Sequence, residues 1–253
     1  MAKIKLQDID TRSPKKAHKD HYKKELEKLK VKLEALQNLM YAEGKHALLI
    51  ILQGMDAAGK DGVVRNVFEI VNPTGCRVIS FKKPTELEMK HDFLWRVHNN
   101  VPEKGFIHIF NRSHYEDVLI QRVHQWVSEK TIKERYVHIN NFEKLLEETG
   151  THILKFYLHI SKEEQLSRLQ ERMSDRTKMW KYNEDDLKER ELWNHYMKAY
   201  QDAINHCSVA APWHVVPSDQ NWYKEHYIAT KVVETLESLN MKFPGFKKKE
   251  TNF

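Results

Sequence analysis

The spacing of apolar positions changes character twice along the chain. Up to about residue 20 the sequence is polar and without period, and reads as an extended arm. Tyr22, Leu26, Leu29, Leu33, Leu36 and Met40 then recur four and three apart, which predicts a helix, and Gly44 supplies its stop. Heptad spacing over so few turns points to a helix packed on its own domain, with a coiled coil as the lesser alternative. From residue 47 short apolar runs at 47–52, 76–81, 106–110, 153–160 and 213–216 alternate with helical stretches. Three of those helices are expected to start at Ser/Thr-x-x-Glu boxes: Thr85/Glu88, Thr131/Glu134 and Ser161/Glu164. Gly150 ends one helix just before the fourth apolar run. Short apolar strands between helices predict an α/β fold, with a parallel five-stranded sheet covered by helices on both faces. There is no repeat and no low-complexity linker, so residues 21–244 read as one domain between an arm (1–20) and a tail (245–253).

Composition narrows the class. Of the 253 residues 40% are hydrophobic and 31% charged, which fits neither a disordered chain nor a membrane protein. The longest apolar run is far short of the ~18 residues a spanning helix needs. The opening Met1-Ala2-Lys3-Ile4-Lys5 lacks the apolar core of a signal peptide. Cys76 and Cys207 are too far apart to suggest a disulfide framework or a zinc site. A cytoplasmic protein is the expectation. With 42 Lys+Arg against 36 Asp+Glu the net charge is +6. Such a balance attracts nucleic acid, anionic surfaces and phosphate-rich small molecules alike.

The chemistry begins after the first apolar run, in Gln53-Gly54-Met55-Asp56-Ala57-Ala58-Gly59-Lys60-Asp61. The spacing Gly54-x-x-x-x-Gly59-Lys60 between a strand and a helix is that of a Walker A loop. Its backbone, through Gly54, Ala57, Ala58 and Gly59, is expected to turn N–H groups toward phosphate oxygens, with Lys60 as a mobile charge. Ser or Thr usually follows the lysine, and here Asp61 stands there, with Asp56 inside the loop. Two acids beside a polyanion repel it unless cations intervene, so a Mg²⁺ site (Mn²⁺ as a substitute) is the simplest resolution. The plain alternatives are a turn residue bonding its own backbone for Asp56 and a first-turn helix acid for Asp61.

The strand at 106–110 runs into Asn111-Arg112-Ser113-His114-Tyr115-Glu116-Asp117. Carboxyl ends of parallel strands line the ligand crevice, so this cluster is expected beside the phosphate loop. Asp117 or Glu116 would complete the metal shell and Arg112 would clamp a phosphate, unless it serves a structural ion pair. His114 reads as a loop histidine rather than a catalyst. Residues 168–190 read as a lid, with Arg172, Arg176, Lys178 and Lys181 as its cations. Arg168 fits a solvated helix face.

Taken together, these motifs resemble the polyphosphate kinase 2 family from about residue 20 to Pro244. The resemblance rests on the loop Gly54–Asp61, on Ser80-Phe81-Lys82, on His91-Asp92-Phe93-Leu94-Trp95-Arg96 and on Asn111–Asp117. It continues through Lys178-Met179-Trp180-Lys181, Ala211-Pro212-Trp213 and Val216-Pro217-Ser218-Asp219. It implies a thymidylate-kinase-like P-loop fold with a helical lid. The activity it implies is Mg²⁺-dependent, reversible phosphoryl transfer between inorganic polyphosphate and nucleotides. It also implies a homodimer or homotetramer. Asp56, Lys60 and Asp61 then belong to the Walker A element and Asp117 to Walker B, with Asp56, Asp61 and Asp117 as metal ligands. Arg112 would bind the transferring phosphate. The Ser-His-Tyr-Glu form of the second motif resembles members that accept both mono- and diphosphates. Two positions depart from many relatives: Arg176 where Pro follows the lid Asp, and Asn221 where Lys precedes the Trp. The competing readings are an ATP-dependent nucleoside monophosphate kinase and a non-catalytic nucleotide or nucleic-acid binding module. Acids at the phosphate site argue against the latter, and neither nucleic acid nor membrane is expected as a partner.

Overall fold

All five apolar runs form strands, and they lie side by side in the order β2-β3-β1-β4-β5 with every neighbouring pair parallel. The computed structural model describes residues 3–181 and 183–245. In chain order the elements are α1 (Lys19–Glu43), β1 (Ala47–Gln53), α2 (Lys60–Val67), β2 (Cys76–Ser80), α3 (Trp95–His98), β3 (Ile107–Asn111), α4 (Ile120–Val123) and α5 (Glu129–Glu148). There follow β4 (Thr151–His159), α6 (Lys162–Ser174), α7 (Asp185–Glu191), α8 (Trp193–His206), β5 (Trp213–Pro217) and α9 (Asn221–Ser238). β1 holds the centre and is buried at every position, as a parallel strand covered on both faces must be. β2, at one edge, stays half open, with Val78 48% exposed.

The heptad face of α1 is spent inside the chain. Leu26, Leu33 and Met40 are buried, and α1 lies along α9, which contributes Ile228, Val232 and Leu236. Gly44 ends α1 in the left-handed region that glycine favours. The arm is tied down rather than free. Ile4 and Leu6 donate to the Asn205 and Gln201 side chains on α8, Thr11 bonds Asp219, and Leu6 is buried.

The three capping boxes fare differently. Ser161 Oγ accepts from Glu164 N (3.1 Å), but its own N–H goes to Asp219 (2.8 Å), leaving Glu164 free to bind Arg168. Thr85 and Glu88 bond in both directions, yet only the 3-10 turn Glu88–Lys90 follows them, not a helix. α5 is capped three residues before the predicted box, because Ser128 Oγ takes the Thr131 N–H (3.1 Å).

A charged cluster sits inside the core under the site. Lys155 on β4 and Glu143 on α5 are both fully buried and bonded to each other. Lys155 also donates to Tyr115 Oη (2.9 Å) and Cys207 O (2.7 Å), while Tyr115 donates to Glu143 (2.7 Å). Breaking a buried pair of this kind by removing one partner costs about 3–5 kcal/mol. The cluster fixes the 3-10 turn His114–Val118, which follows β3 into the site, against β4, α5 and the end of α8.

Candidate active site

Register brings the two motifs together. Leu52 of β1 pairs with Asn111 of β3, and Arg112 donates its backbone N–H to Leu52 O (3.1 Å). The phosphate loop and the Asn111–Asp117 turn therefore emerge side by side at the carboxyl edge of the sheet, where open α/β folds bind ligands. Two glycines are required by close approach. A Cβ at Gly54 would stand 2.9 Å from Leu158 O, and one at Gly59, whose φ is +99°, would stand 2.2 Å from Lys224 Nζ.

Five consecutive loop carbonyls are held by side chains. Lys60 Nζ donates to Gly54 O (2.7 Å) and Met55 O (3.2 Å). Gln165 donates to Asp56 O (3.1 Å), Arg168 to Ala57 O and Ala58 O (3.1 and 3.2 Å), and Lys224 to Ala58 O (3.0 Å). With its carbonyls engaged, the loop offers the cleft its N–H groups and the positive end of α2. Arg168 does more. Its other guanidinium nitrogens reach Ser218 O (2.8 Å), Asp219 O (2.9 Å) and Glu164 (2.8 Å), so one side chain joins the loop, the lid stem and the exit of β5. The solvated helix face expected for Arg168 is thus corrected: its side chain is 14% exposed.

The cleft above the loop has a volume of about 1120 Å³ and is lined by nine cationic side chains and five carboxylates. A second hollow, about 810 Å³ between α1, α2 and α9, is lined by four lysines and four acids, so its charge cancels. The first therefore carries a net positive charge. In it Arg112 pairs with Asp56 (2.6 Å), and Lys181 and Asn111 both reach Asp61 (3.2 and 2.8 Å). Burial alone would raise the Asp56 carboxyl, but Lys60 and Arg112 outweigh it and hold it below the ordinary range. Burial likewise opposes Asp61, and the Asn111 bond and Lys181 still lower it. Burial, reinforced by Arg112, pushes the Lys60 ammonium below its usual value.

Asp56, Ala57, Gly59, Lys60, Asp61, Arg112, Arg172, Lys178 and Lys181 all line this cleft, while Gly54 and Ala58 sit beneath it. Glu116 is half-buried and does not line the cleft, but is close enough to bias both Lys60 and Arg112. Arg176 is exposed and lies off the cleft. Asp117 is turned inward: it is 3% exposed and accepts from Gln121, with Arg96 at 3.8 Å and Arg135 at 3.9 Å. Burial pushes its carboxyl up to about 6 against those two arginines. Asp56, Asp61 and Asp117 are therefore not gathered at one point, and among the described residues no group of three acids, His or Cys is arranged to hold a metal. Asp56 and Asp61 alone fit Mg²⁺ by their chemistry. They are ionised hard oxygen donors at a phosphate loop, and Mg²⁺ is commonly held by one or two carboxylates plus substrate phosphates.

Asp186, on α7, is a cleft acid that sequence reasoning missed. It pairs with Arg172 (3.1 Å), and burial together with nearby Asp56 pushes it up to about 6. Its acidic run, Glu184-Asp185-Asp186, resembles any helix start and carries no mark of the cleft. Asn221 also lines the cleft and accepts from Lys224 (2.8 Å).

Comparison with known proteins agrees with this geometry. Residues 16–244 match the family described as Polyphosphate kinase 2. The chain is 53% identical over 214 residues to an AMP/ADP-polyphosphate phosphotransferase of Meiothermus ruber, covering 84% of this chain and 80% of that one. It is 43% identical over 239 residues to an ADP-polyphosphate phosphotransferase of Rhodopseudomonas palustris, covering 89% and 83%. Its fold superposes on the crystal structure of polyphosphate kinase 2 from Arthrobacter aurescens TC1 with a TM-score of 0.95, at 40% identity over 98% of this chain and 90% of the other. A phosphate loop braced from behind, a net-positive cleft above it and a match across nearly the whole fold lead to one assignment: the chain belongs to the polyphosphate kinase 2 family.

Proposed function

We propose that this protein catalyses Mg²⁺-dependent, reversible phosphoryl transfer between inorganic polyphosphate and nucleoside mono- and diphosphates, with AMP/ADP and GMP/GDP as acceptors. The observation that carries the reading is the cleft's surplus of cations centred on Lys60 and Arg112. A terminal phosphate oxygen of the acceptor attacks the terminal phosphorus of the chain in line. The bond to the bridging oxygen breaks, and the chain leaves one phosphate shorter. Such transfer needs positioning and charge neutralisation more than a strong base. Lys60 exchanges the Gly54 and Met55 carbonyls for phosphate oxygens, and Arg112 exchanges Asp56 for a bidentate grip on the migrating group. Asp61 and Asp56 would hold Mg²⁺, and the chemistry it would supply there is positive charge against the phosphate oxygens. The lid, carrying Arg172, Lys178 and Lys181, closes over the cleft and excludes water. A cytoplasmic homodimer or homotetramer completes the proposal.

The test incubates the protein with Mg²⁺, polyphosphate and AMP, ADP, GMP or GDP and separates the products by chromatography. A nucleotide longer by one phosphate is the expected product. No new phosphoanhydride on any acceptor overturns the proposal.

A further inference from the structure

Beyond Lys60, Arg112 and Arg168, the cleft cations fall into two groups. Those of the lid each face an acid: Arg172 meets Asp186 (3.1 Å), Lys178 meets Glu171 and Asp175, and Lys181 meets Asp61 (3.2 Å). Across the cleft stand Arg65, in the last turn of α2, and Lys82 and Lys83, just beyond β2. All three are exposed, and among the described residues none has a carboxylate within ion-pair distance. Arg65 bonds only the neutral Asn66 side chain (3.1 Å). Adjacent like charges without counter-charge gain nothing from folding, and they attract a polyanion.

This wall is anchored from below. Phe81 is buried, packs edge-on against Phe110 (4.8 Å between ring centres) and donates its N–H to Asn111 O (3.2 Å). Arg96, itself buried, donates to Lys82 O (2.8 Å), lies over the Phe81 ring and has its far nitrogen 3.8 Å from Asp117. The buried acid that does not face the cleft thus holds the arginine that fixes the Lys82–Lys83 backbone. On α2, Arg65 follows Asp61 by four residues, which puts the two on one helix face. The wall therefore leads outward from the place where the phosphates react.

We infer that Arg65, Lys82 and Lys83 form the subsite for the body of the condensed-phosphate donor, the phosphates beyond the one transferred. This rests on the polyphosphate reading above. Lid cations must give up an acid before they can bind a phosphate, whereas the wall cations give up no carboxylate at ion-pair distance. A triphosphate is short enough to be satisfied at the loop, so the wall is used by long chains alone.

The test compares Arg65→Ala/Lys82→Ala/Lys83→Ala with the unmutated protein, using long-chain polyphosphate and tripolyphosphate as donors at two salt concentrations. The apparent KM for the long chain should rise about tenfold or more, while those for tripolyphosphate and for the nucleotide stay within about twofold. Losing three contacts should also flatten the plot of log affinity against log salt by about two, at roughly 0.7 per contact for a flexible polyanion. Equal KM changes for short and long donors, a change confined to the nucleotide, or an unaltered salt slope overturns the subsite. Failure of the proposed function is read elsewhere, from an unmutated protein that uses no polyphosphate at all. If the triple variant does not fold, the exposed single change Lys83→Glu makes the same comparison.

Discussion

Around the phosphate loop, polar groups are bonded inward by buried partners from several elements. Lys60 holds the loop from within, Gln165 and Arg168 reach it from α6, and Lys224 reaches it from α9. In the lid, Lys178 is tied only by exposed pairs close in sequence, to Glu171 and Asp175, and Trp180 stands 77% exposed at its tip. Exposed pairs of this kind contribute little stability and exchange readily with a ligand. The loop that presents its N–H groups is held in one geometry, and the segment proposed to close over substrate is loosely tied at Lys178.

The sharpest way to break this contrast is at Lys60. Lys60→Ala should lower turnover by a hundredfold or more, about 3 kcal/mol of transition-state stabilisation, and Lys60→Arg should restore little, because a planar fork cannot replace a compact ammonium. Steady-state rates with polyphosphate and ADP check it. A Lys60→Arg enzyme near normal would contradict the tight loop.

Next in size is the brace. Arg168→Ala removes contacts to four carbonyls and a carboxylate, and at about 1.5–3 kcal/mol per charged hydrogen bond, with water replacing part of the loss, the expected cost is about 2–4 kcal/mol in stability. Lys178→Ala/Lys181→Ala, by contrast, should leave the urea midpoint where it was. Equal shifts for the two variants would erase the distinction between loop and lid.

Two of the three acids that sequence reasoning grouped as metal ligands, Asp61 and Asp117, should separate. Asp61→Asn is expected to raise the Mg²⁺ concentration needed for half-maximal rate by about tenfold, and Asp117→Asn to leave it unchanged, since Asp117 faces Arg96 and Arg135 in the interior. Titration of rate against Mg²⁺ decides. Matching rises would return Asp117 to the metal.

The smallest effect is in pH. Burial lowers the pKa of His108, His114, His152, His159, His214 and His226, none of which lines the cleft. The unfolded chain therefore takes up protons first as pH falls, so stability is present above the ordinary histidine value of about 6.5 and is lost below it. Asp117 and Asp186, raised to about 6, act in the opposite sense from there down to about 4. The urea midpoint should thus drop between pH 7.5 and 6. A midpoint that rises over that interval would contradict the assignment.

What could be read in the sequence follows the same division. The strands and the phosphate loop were legible because apolar runs and Gly-x-x-x-x-Gly-Lys spacing are local signals. Arg168 was not, because its partners are backbone carbonyls of Ala57, Ala58, Ser218 and Asp219, and carbonyls leave no trace in residue type. Lys155 stands inside an apolar strand with its counter-charge twelve residues earlier on α5, which no periodicity reveals. Asp117 was misplaced for a geometric reason. The 3-10 turn His114–Val118 carries its carboxylate inward, although its neighbour Arg112 faces the cleft.

The donor decides the account as a whole. Polyphosphate as sole donor, with Mg²⁺ and ADP, should yield ATP with the unmutated protein and almost none with Lys60→Ala. ATP formation from polyphosphate that is absent, while ATP alone phosphorylates AMP, would make this chain an ordinary nucleotide kinase and contradict the reading of its cleft.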